Sequence, residues 1–341
     1  MAQTMKRWTL NAVGRENLAL AEVPVPTPGP GQVLVRVAAV SLNYRDKLVI
    51  ETGMGLDLPF PLTPLSDMAG EVAAVGTGVA RFAAGDRVIS TFVPGWIDGR
   101  TGGSAARPGY ATLGGLHQGV LAEYVVLDQD WLTAAPAGLT PAEASTLPIA
   151  GLTAWFSLFE RGGLKAGETV VVQGTGGVAL FGLQFAKAAG AEVIVTSGDD
   201  AKLARARALG ADHGINRLAG DWAEAVIAHT GGRGADHILE LAGGANLDRS
   251  VAAAAVGGRI AMIGLLEGFE LKTRVVPLLL KEVTVFGVVV GHRRAQEDMV
   301  RAVDRIGLRP VIDARYPLAD LPAALDHLDR GPFGKIVIEV G

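Results

Sequence analysis

The run Gly174-Thr175-Gly176-Gly177-Val178-Ala179 sets its small residues at the spacing G-x-G-x-x-G/A, and the chemistry served by that spacing is pyrophosphate binding. Strand-forming Thr169-Val170-Val171-Val172-Gln173 leads into it, and a helix-competent stretch from Leu180 to Ala189 follows at once. A buried strand that turns tightly into a helix offers an anion unpaired backbone N–H groups and a positive dipole end. The glycines let this backbone turn sharply and approach the anion with no Cβ in the way. The spacing alone would also suit a tight turn without a ligand. Its place between one strand and one helix predicts a bound dinucleotide.

Residue types exclude several other chemistries. The chain has no cysteine, which removes disulfides, thiolate nucleophiles and Cys-built metal sites together. His117, His213, His229, His237, His292 and His327 are dispersed, without an H-x-x-x-H spacing or a neighbouring carboxylate cluster, and read as surface or packing residues. A net charge of −4 and scattered basic residues give no nucleic-acid surface. Hydrophobic residues make up 49% and charged residues 19%, the balance of a compact globular chain. The uncharged stretch Thr169–Ala186 has the length to raise the question of a membrane span, but glycines and Gln173 interrupt it, so no membrane association is expected. Met1–Leu10 has no apolar signal core, so no export is predicted and the expected location is cytoplasmic.

The elements that must position the turn follow from periodicity. At 341 residues, about two domains are expected. The first 130 residues read as β-rich, with strands in Gln32–Val40, Ala69–Gly76, Asp86–Ser90 and Ala122–Leu127 and a glycine-rich loop or lid from Pro94 to Gly119. Pro141–Arg161 is helical in pattern, with Thr140 as N-cap. After Gly167, strands at 169–173, 192–196, 213–216, 236–240, 259–263 and 283–290 alternate with helices at 200–209, 221–230 and 247–254. That rhythm is α/β and predicts a doubly wound parallel sheet with ligands at the carboxyl ends of its strands. The last fifty residues, helices at 296–306 and 318–328 and a strand at 335–340, are too few to fold alone and are expected to return to the β-rich part. The expected domains are 1–130 with 291–341, and 131–290.

Several stretches carry a resemblance that runs almost end to end: Leu42-Asn43-Tyr44-Arg45-Asp46, Ala69-Gly70-Glu71-Val72, Gly85-Asp86-Arg87-Val88, Leu147–Trp155 and Ala208-Leu209-Gly210-Ala211-Asp212. With the glycine turn and the returning tail, the chain resembles the medium-chain dehydrogenase/reductase superfamily, in its zinc-independent, quinone-oxidoreductase-like branch. The resemblance implies a GroES-like β-rich catalytic domain, a Rossmann cofactor-binding domain and an active site in the cleft between them. Zinc-dependent members hold a catalytic metal with a Cys, a His and a second Cys, and by resemblance those positions fall at Asn43, Ser66 and Ile149. None is a usual zinc ligand, and the Pro94–His117 stretch, where other members carry four zinc-binding cysteines, has none. No zinc is expected.

Without that Lewis acid a simple alcohol is hard to oxidise, whereas an electron-poor quinone or α,β-unsaturated carbonyl accepts hydride once it is held against the reduced nicotinamide. The oxyanion formed needs hydrogen-bond donors, with a proton from water. Asn43 and Tyr44, in the loop where the first metal ligand would begin, are the candidate catalytic donors; loop packing or an Asx turn suits them equally. Asp46 joins them as a candidate site residue that, with Arg45, holds this loop or contacts the cofactor edge. A Tyr44–Lys47 acid pair does not fit the short-chain dehydrogenase spacing.

The cofactor's identity turns on charge. In NAD-selective sheets an acidic residue about twenty positions beyond the glycine turn binds the ribose; here that count reaches Ser197. A small hydroxyl leaves room for a 2′-phosphate, and Lys202 is placed to neutralise it. Asp199 and Asp200 oppose this unless they cap the following helix. NADPH is therefore preferred and NADH stays open. By resemblance, Thr153, Gly264, Leu265 and Val290, at the end of strand 283–290, line the nicotinamide, while Asn216 and Arg217 lie toward the adenine. The predicted activity is hydride transfer to a small-molecule quinone, enone or related carbonyl. A metal-free alcohol dehydrogenase or ketoreductase is one alternative, and a nicotinamide-binding protein with little catalysis is the other. The apolar strand 283–290 reads as a sheet edge, and pairing it across a two-fold axis predicts a homodimer.

Overall fold

The computed structural model describes residues 3–341 and divides into two compact units. The first runs to Ile149 and resumes at His292; the second is Ala150–Gly291.

The first unit opens with an antiparallel hairpin of β1 (Thr4–Leu10) and β2 (Leu18–Pro24), which the sequence reading did not anticipate. Strand β3 (Gln32–Ser41) follows, then helix α1 (Tyr44–Thr52) and strands β4 (Asp67–Val75), β5 (Arg87–Ser90), β6 (Tyr124–Asp128) and β7 (Leu132–Ala134). The expected loop is real: no helix or strand lies between Ser90 and Tyr124, and backbone bonds such as Leu113 N–H to Phe92 C=O tie the segment down. Arg45 holds it further by donating to the carbonyls of Leu113 and Gly114.

Asn43 and Tyr44 were expected in a loop. Instead Asn43 is the N-cap of α1 and Tyr44 its first residue, because Asp46 turns back to accept the Asn43 N–H at 2.9 Å. The helix expected at 141–161 is likewise broken. Helix α2 (Pro141–Ala144) ends where Ser145 and Thr146 donate their hydroxyls to the carbonyls of Ala142 and Glu143. Beyond it Pro148, which has no N–H to give, sits in a π-helical turn at Leu147–Gly151.

The second unit begins with α3 (Leu152–Trp155) and then alternates β8 (Thr169–Gln173), α4 (Gly177–Ala188), β9 (Glu192–Ser197), α5 (Asp200–Ala208), β10 (His213–Asn216), α6 (Trp222–His229), β11 (Ala235–Glu240), α7 (Asn246–Ala253), β12 (Ala254–Met262), α8 (Val275–Leu280) and β13 (Thr284–Gly287). The sheet order is β10-β9-β8-β11-β12-β13, every pair parallel, which is the doubly wound order 3-2-1-4-5-6. β8 is buried on both faces, as its unbroken run of valines requires.

Strand β13 spans 284–287, shorter than the 283–290 expected. Among the described residues it pairs only with β12, and the paired residues end at Met262 and Gly287. Val290 therefore lies outside the strand, although its side chain is buried.

The tail rejoins the first unit through α9 (Arg293–Ile306), β14 (Ile312–Pro317), α10 (Leu321–Asp329) and β15 (Lys335–Glu339). β15 pairs antiparallel with β3, in a sheet of order β14-β15-β3-β4-β5-β7 with β6 also on β3. The first unit extends past the expected boundary at residue 130 because β7 pairs with β5 and α2 packs on β3 and β4.

Candidate active site

In the second unit the glycine turn connects β8 to α4. Gly174 has φ +79°, a conformation glycine adopts without strain, and Gly176 is the N-cap. No side chain caps this helix end, and a Cβ built on Gly174 or Gly176 would meet open space. First-turn N–H groups thus face a gap of the kind a pyrophosphate fills. Thr175 is buried in the same turn, and Gly177 and Val178 begin the helix.

A cavity of about 310 Å³ opens beside this turn, lined by Gly174, Thr196, Arg217, Trp222, Ala242 and Leu266 among others. Ser197 ends β9, next in sequence to the lining residue Thr196, and accepts the Asp199 N–H. Asp199 caps α5 by accepting from Ala201 and Lys202, so its charge is spent on the helix end. Asn216 is engaged with Asp200 and the Leu218 N–H. Lys202 is already partnered. By contrast, no hydrogen bond or ion pair engages the Arg217 guanidinium among the described residues, and its Nε stands 3.7 Å from a Cβ built on Gly198.

The floor of the cavity is a polar network that sequence reasoning missed. The Glu240 carboxylate, with no exposure, accepts from the N–H groups of Ala242 and Gly243 at 3.0 and 2.9 Å and from the side chains of Gln173, Asn246 and Ser250. Gln173 in turn accepts from Leu241 N–H and Asn246. Every donor around the buried charge is placed, which fixes the 241–246 turn. That turn packs against Gly264, where a Cβ would fall 1.7 Å from the Leu241 carbonyl oxygen. Leu265 follows it, half-buried, and the Thr153 hydroxyl is buried with no hydrogen-bond partner among the described residues. Nothing in the sequence marks Glu240 except its place at a strand end.

In the first unit, Asn43, Ser66 and Ile149 come together around two buried carboxylates and a buried ammonium. Lys335, the first residue of β15, donates to the Leu42 carbonyl and, at 2.6 Å, to Asn43 Oδ1. Asp67 accepts from the Ser66 hydroxyl at 2.7 Å and the Ile149 N–H at 2.9 Å. Asn43 Nδ2, near enough to Asp67 to favour its charge, makes no hydrogen bond of its own among the described residues. Burial pushes the Asp46 carboxyl up to about 6, opposed by Arg45. Burial also raises Asp67, opposed by Lys335, and lowers Lys335, opposed by both carboxylates. Tyr44 stands apart from this cluster, substantially exposed, with the Lys47 ammonium 6.0 Å from its ring centre. Sequence reasoning missed Lys335 and Asp67.

A doubly wound parallel sheet whose first strand turns through glycines into an uncapped helix is the arrangement of a dinucleotide-binding protein. Residues 29–137 match the alcohol dehydrogenase GroES-like domain, and residues 177–306 match the zinc-binding dehydrogenase family. A zinc-type alcohol dehydrogenase-like protein of Schizosaccharomyces pombe is 37% identical over 90% of both chains. Human quinone oxidoreductase is 28% identical over 90% of this chain and 88% of its own. Among solved structures, a candidate alcohol dehydrogenase of Sinorhizobium meliloti is 64% identical over the whole of both chains, with a TM-score of 0.97. An NAD-dependent alcohol dehydrogenase is 36% identical, covering 99% of this chain and all of its own, with a TM-score of 0.90. The chain belongs to the medium-chain dehydrogenase/reductase superfamily and is an NAD(P)H-dependent oxidoreductase of that type.

The zinc in that family description does not fit these residues. At Asn43, Ser66 and Ile149, the positions that the resemblance assigns to zinc ligands, stand an amide oxygen already hydrogen-bonded to an ammonium, a hydroxyl already donating to a carboxylate, and a hydrocarbon side chain. A dication placed there would meet Lys335.

Proposed function

We propose that the chain is a zinc-independent, NADPH-dependent oxidoreductase of the cytoplasm that transfers hydride to a quinone, an enone or a related carbonyl. The observation that carries this reading is the Lys335 ammonium on Asn43 Oδ1, where a catalytic metal's first ligand would be. With no Lewis acid to lower the barrier for alcohols, acceptors that are already electron-poor are favoured.

The second unit is the cofactor-binding domain in this reading and the first is the catalytic one. The Gly174–Val178 turn holds the pyrophosphate through backbone N–H groups, and the Glu240 network keeps the 241–246 turn in place beside it. Ser197 puts a small neutral hydroxyl where an acidic residue would repel a 2′-phosphate, and Arg217 in the cavity wall, with Lys202 on the next helix, supplies positive charge for it. The bound reduced nicotinamide supplies the hydride. Thr153, Gly264, Leu265 and Val290 shape its surroundings. Asn43 Nδ2 donates to the oxygen that gains negative charge, and water provides the final proton. Asp46 holds Asn43 in its cap geometry.

A homodimer belongs to the same reading. β13 is an edge of the parallel sheet, and beside it in sequence Leu279 and Leu280 of α8 are 66% and 77% exposed. A second copy of this chain would cover both.

The test is a panel of quinones, enones, aldehydes and alcohols, each assayed with NADPH and NADH. Turnover concentrated on quinones or enones with NADPH is expected. Oxidation of simple alcohols with NAD as the dominant activity would overturn the reading. Tight NADPH binding with no turnover would make the chain a binding protein.

A further inference from the structure

We propose that Lys335 is a positioning residue for the reaction: its ammonium fixes the Asn43 amide and strengthens that amide's N–H as a donor. The inference rests on the reading of Asn43 as the oxyanion donor.

An asparagine amide presents oxygen at one end and NH2 at the other, with nearly the same shape, so its surroundings decide which end faces which group. Lys335 settles that choice. An ammonium has three donors and no acceptor, so the amide oxygen must face it, as it does at 2.6 Å. The flipped amide would set NH2 against NH3⁺. Asn43 Nδ2 is consequently the amide's donor end; it is turned toward the Asp67 carboxylate, whose charge it favours, yet among the described residues it makes no hydrogen bond of full geometry, in a residue only 8% exposed. A cation on the carbonyl oxygen also draws electron density from the amide nitrogen and makes its N–H a better donor to an oxyanion.

The cation is costly to keep here. Lys335 is 4% exposed, and Asp46 and Asp67 at 1% and 0% supply the countercharge. Buried ion clusters of this kind are often no more stabilising than hydrophobic replacements of the same volume. Fixing the polarity of Asn43 is a role that an apolar side chain could not fill.

The experiment measures kcat for NADPH oxidation by 1,4-benzoquinone and the Kd for NADPH by fluorescence, in the full chain. Lys335→Met is expected to lower kcat about tenfold or more with Kd within about twofold, and Lys335→Arg to recover most of the loss. Adding Lys335→Met to Asn43→Ala should cost nothing further, since Lys335 acts only through that amide. Should Lys335→Met fail to fold, Lys335→Met with Asp67→Asn leaves no unbalanced pair of charges and is read in the same way. Wild-type kcat in the folded variant, or losses that multiply in the double variant, would overturn the proposal. Wild-type kcat in Asn43→Ala alone would instead remove the donor role on which it rests.

Discussion

Lys335 and Asn43 stand 292 residues apart in the chain, and the Lys335 ammonium lies 2.6 Å from the Asn43 amide oxygen. One anchors the last strand and the other caps the first helix, and β15 beside β3 brings them together. Removing the amide should therefore affect chemistry and not cofactor binding. Asn43→Ala is expected to lower kcat by about 10²-fold, the usual effect of losing one oxyanion donor, while the NADPH Kd stays within about twofold. Steady-state kinetics with a fluorescence titration checks both.

Charge at the end of β10 should set the cofactor preference. Arg217 lines the cavity beside Gly174 and is free of ion pairs among the described residues, whereas Lys202 is already engaged. Arg217→Ala should weaken NADPH binding by about tenfold and leave NADH nearly unchanged, the loss of one charge-assisted contact. Lys202→Ala should shift the ratio in the same direction by less. Equal loss for both cofactors in Arg217→Ala would place that arginine away from the 2′-phosphate.

Asp46 makes stability depend on pH in a particular direction. Its carboxyl is raised from 3.8 to about 6 by burial, so the folded chain binds a proton more tightly than the unfolded chain. The stabilisation is complete below about pH 4 and is lost as pH rises through about 6. Relative to Asp46→Asn, the wild-type chain should lose about 3 kcal/mol between pH 4 and pH 7. Urea unfolding of both proteins across that range measures the difference. A constant offset between them would show that Asp46 titrates normally.

Gly264 tests the packing behind the cofactor turn. Its missing Cβ makes room for the Leu241 carbonyl, so Gly264→Ala forces the backbone apart. A loss of about 2–4 kcal/mol in unfolding free energy is expected, with weaker NADPH binding. An unchanged denaturation midpoint would contradict that packing.

For the proposed dimer, Leu280→Glu introduces charge on an apolar surface. Light scattering should show about two chains per particle for the wild type at micromolar concentration and a shift toward one for the variant. A wild type that is monomeric would end the dimer proposal.

The second unit was largely legible because each of its signals is local. Valines in an unbroken run followed by clustered glycines announce β8 and the turn into α4, and each later strand is bounded by its own turn residues. β13 was overextended because an apolar run continues through Val290, whereas the strand stops where its partner β12 does. In the first unit, α1 escaped notice since Tyr44-Arg45-Asp46-Lys47 shows no apolar stripe; the Asn43–Asp46 cap starts it. The β1–β2 hairpin lacks a short glycine turn to mark it. Asn43 and Asp46 were singled out from the sequence, but Lys335, Asp67 and Glu240 were not. Each takes its importance from partners that only the tertiary fold supplies, and no spacing along the chain records them.

In the proposed function this oxidoreductase works without zinc, through Asn43 and Lys335. The most direct measurement is the rate of NADPH oxidation by 1,4-benzoquinone and an enone before and after exhaustive chelation, with zinc per chain determined on the same samples. The prediction is an unchanged rate with zinc well below one per chain. One zinc per chain, with a rate that falls on chelation and returns on adding zinc, would contradict it.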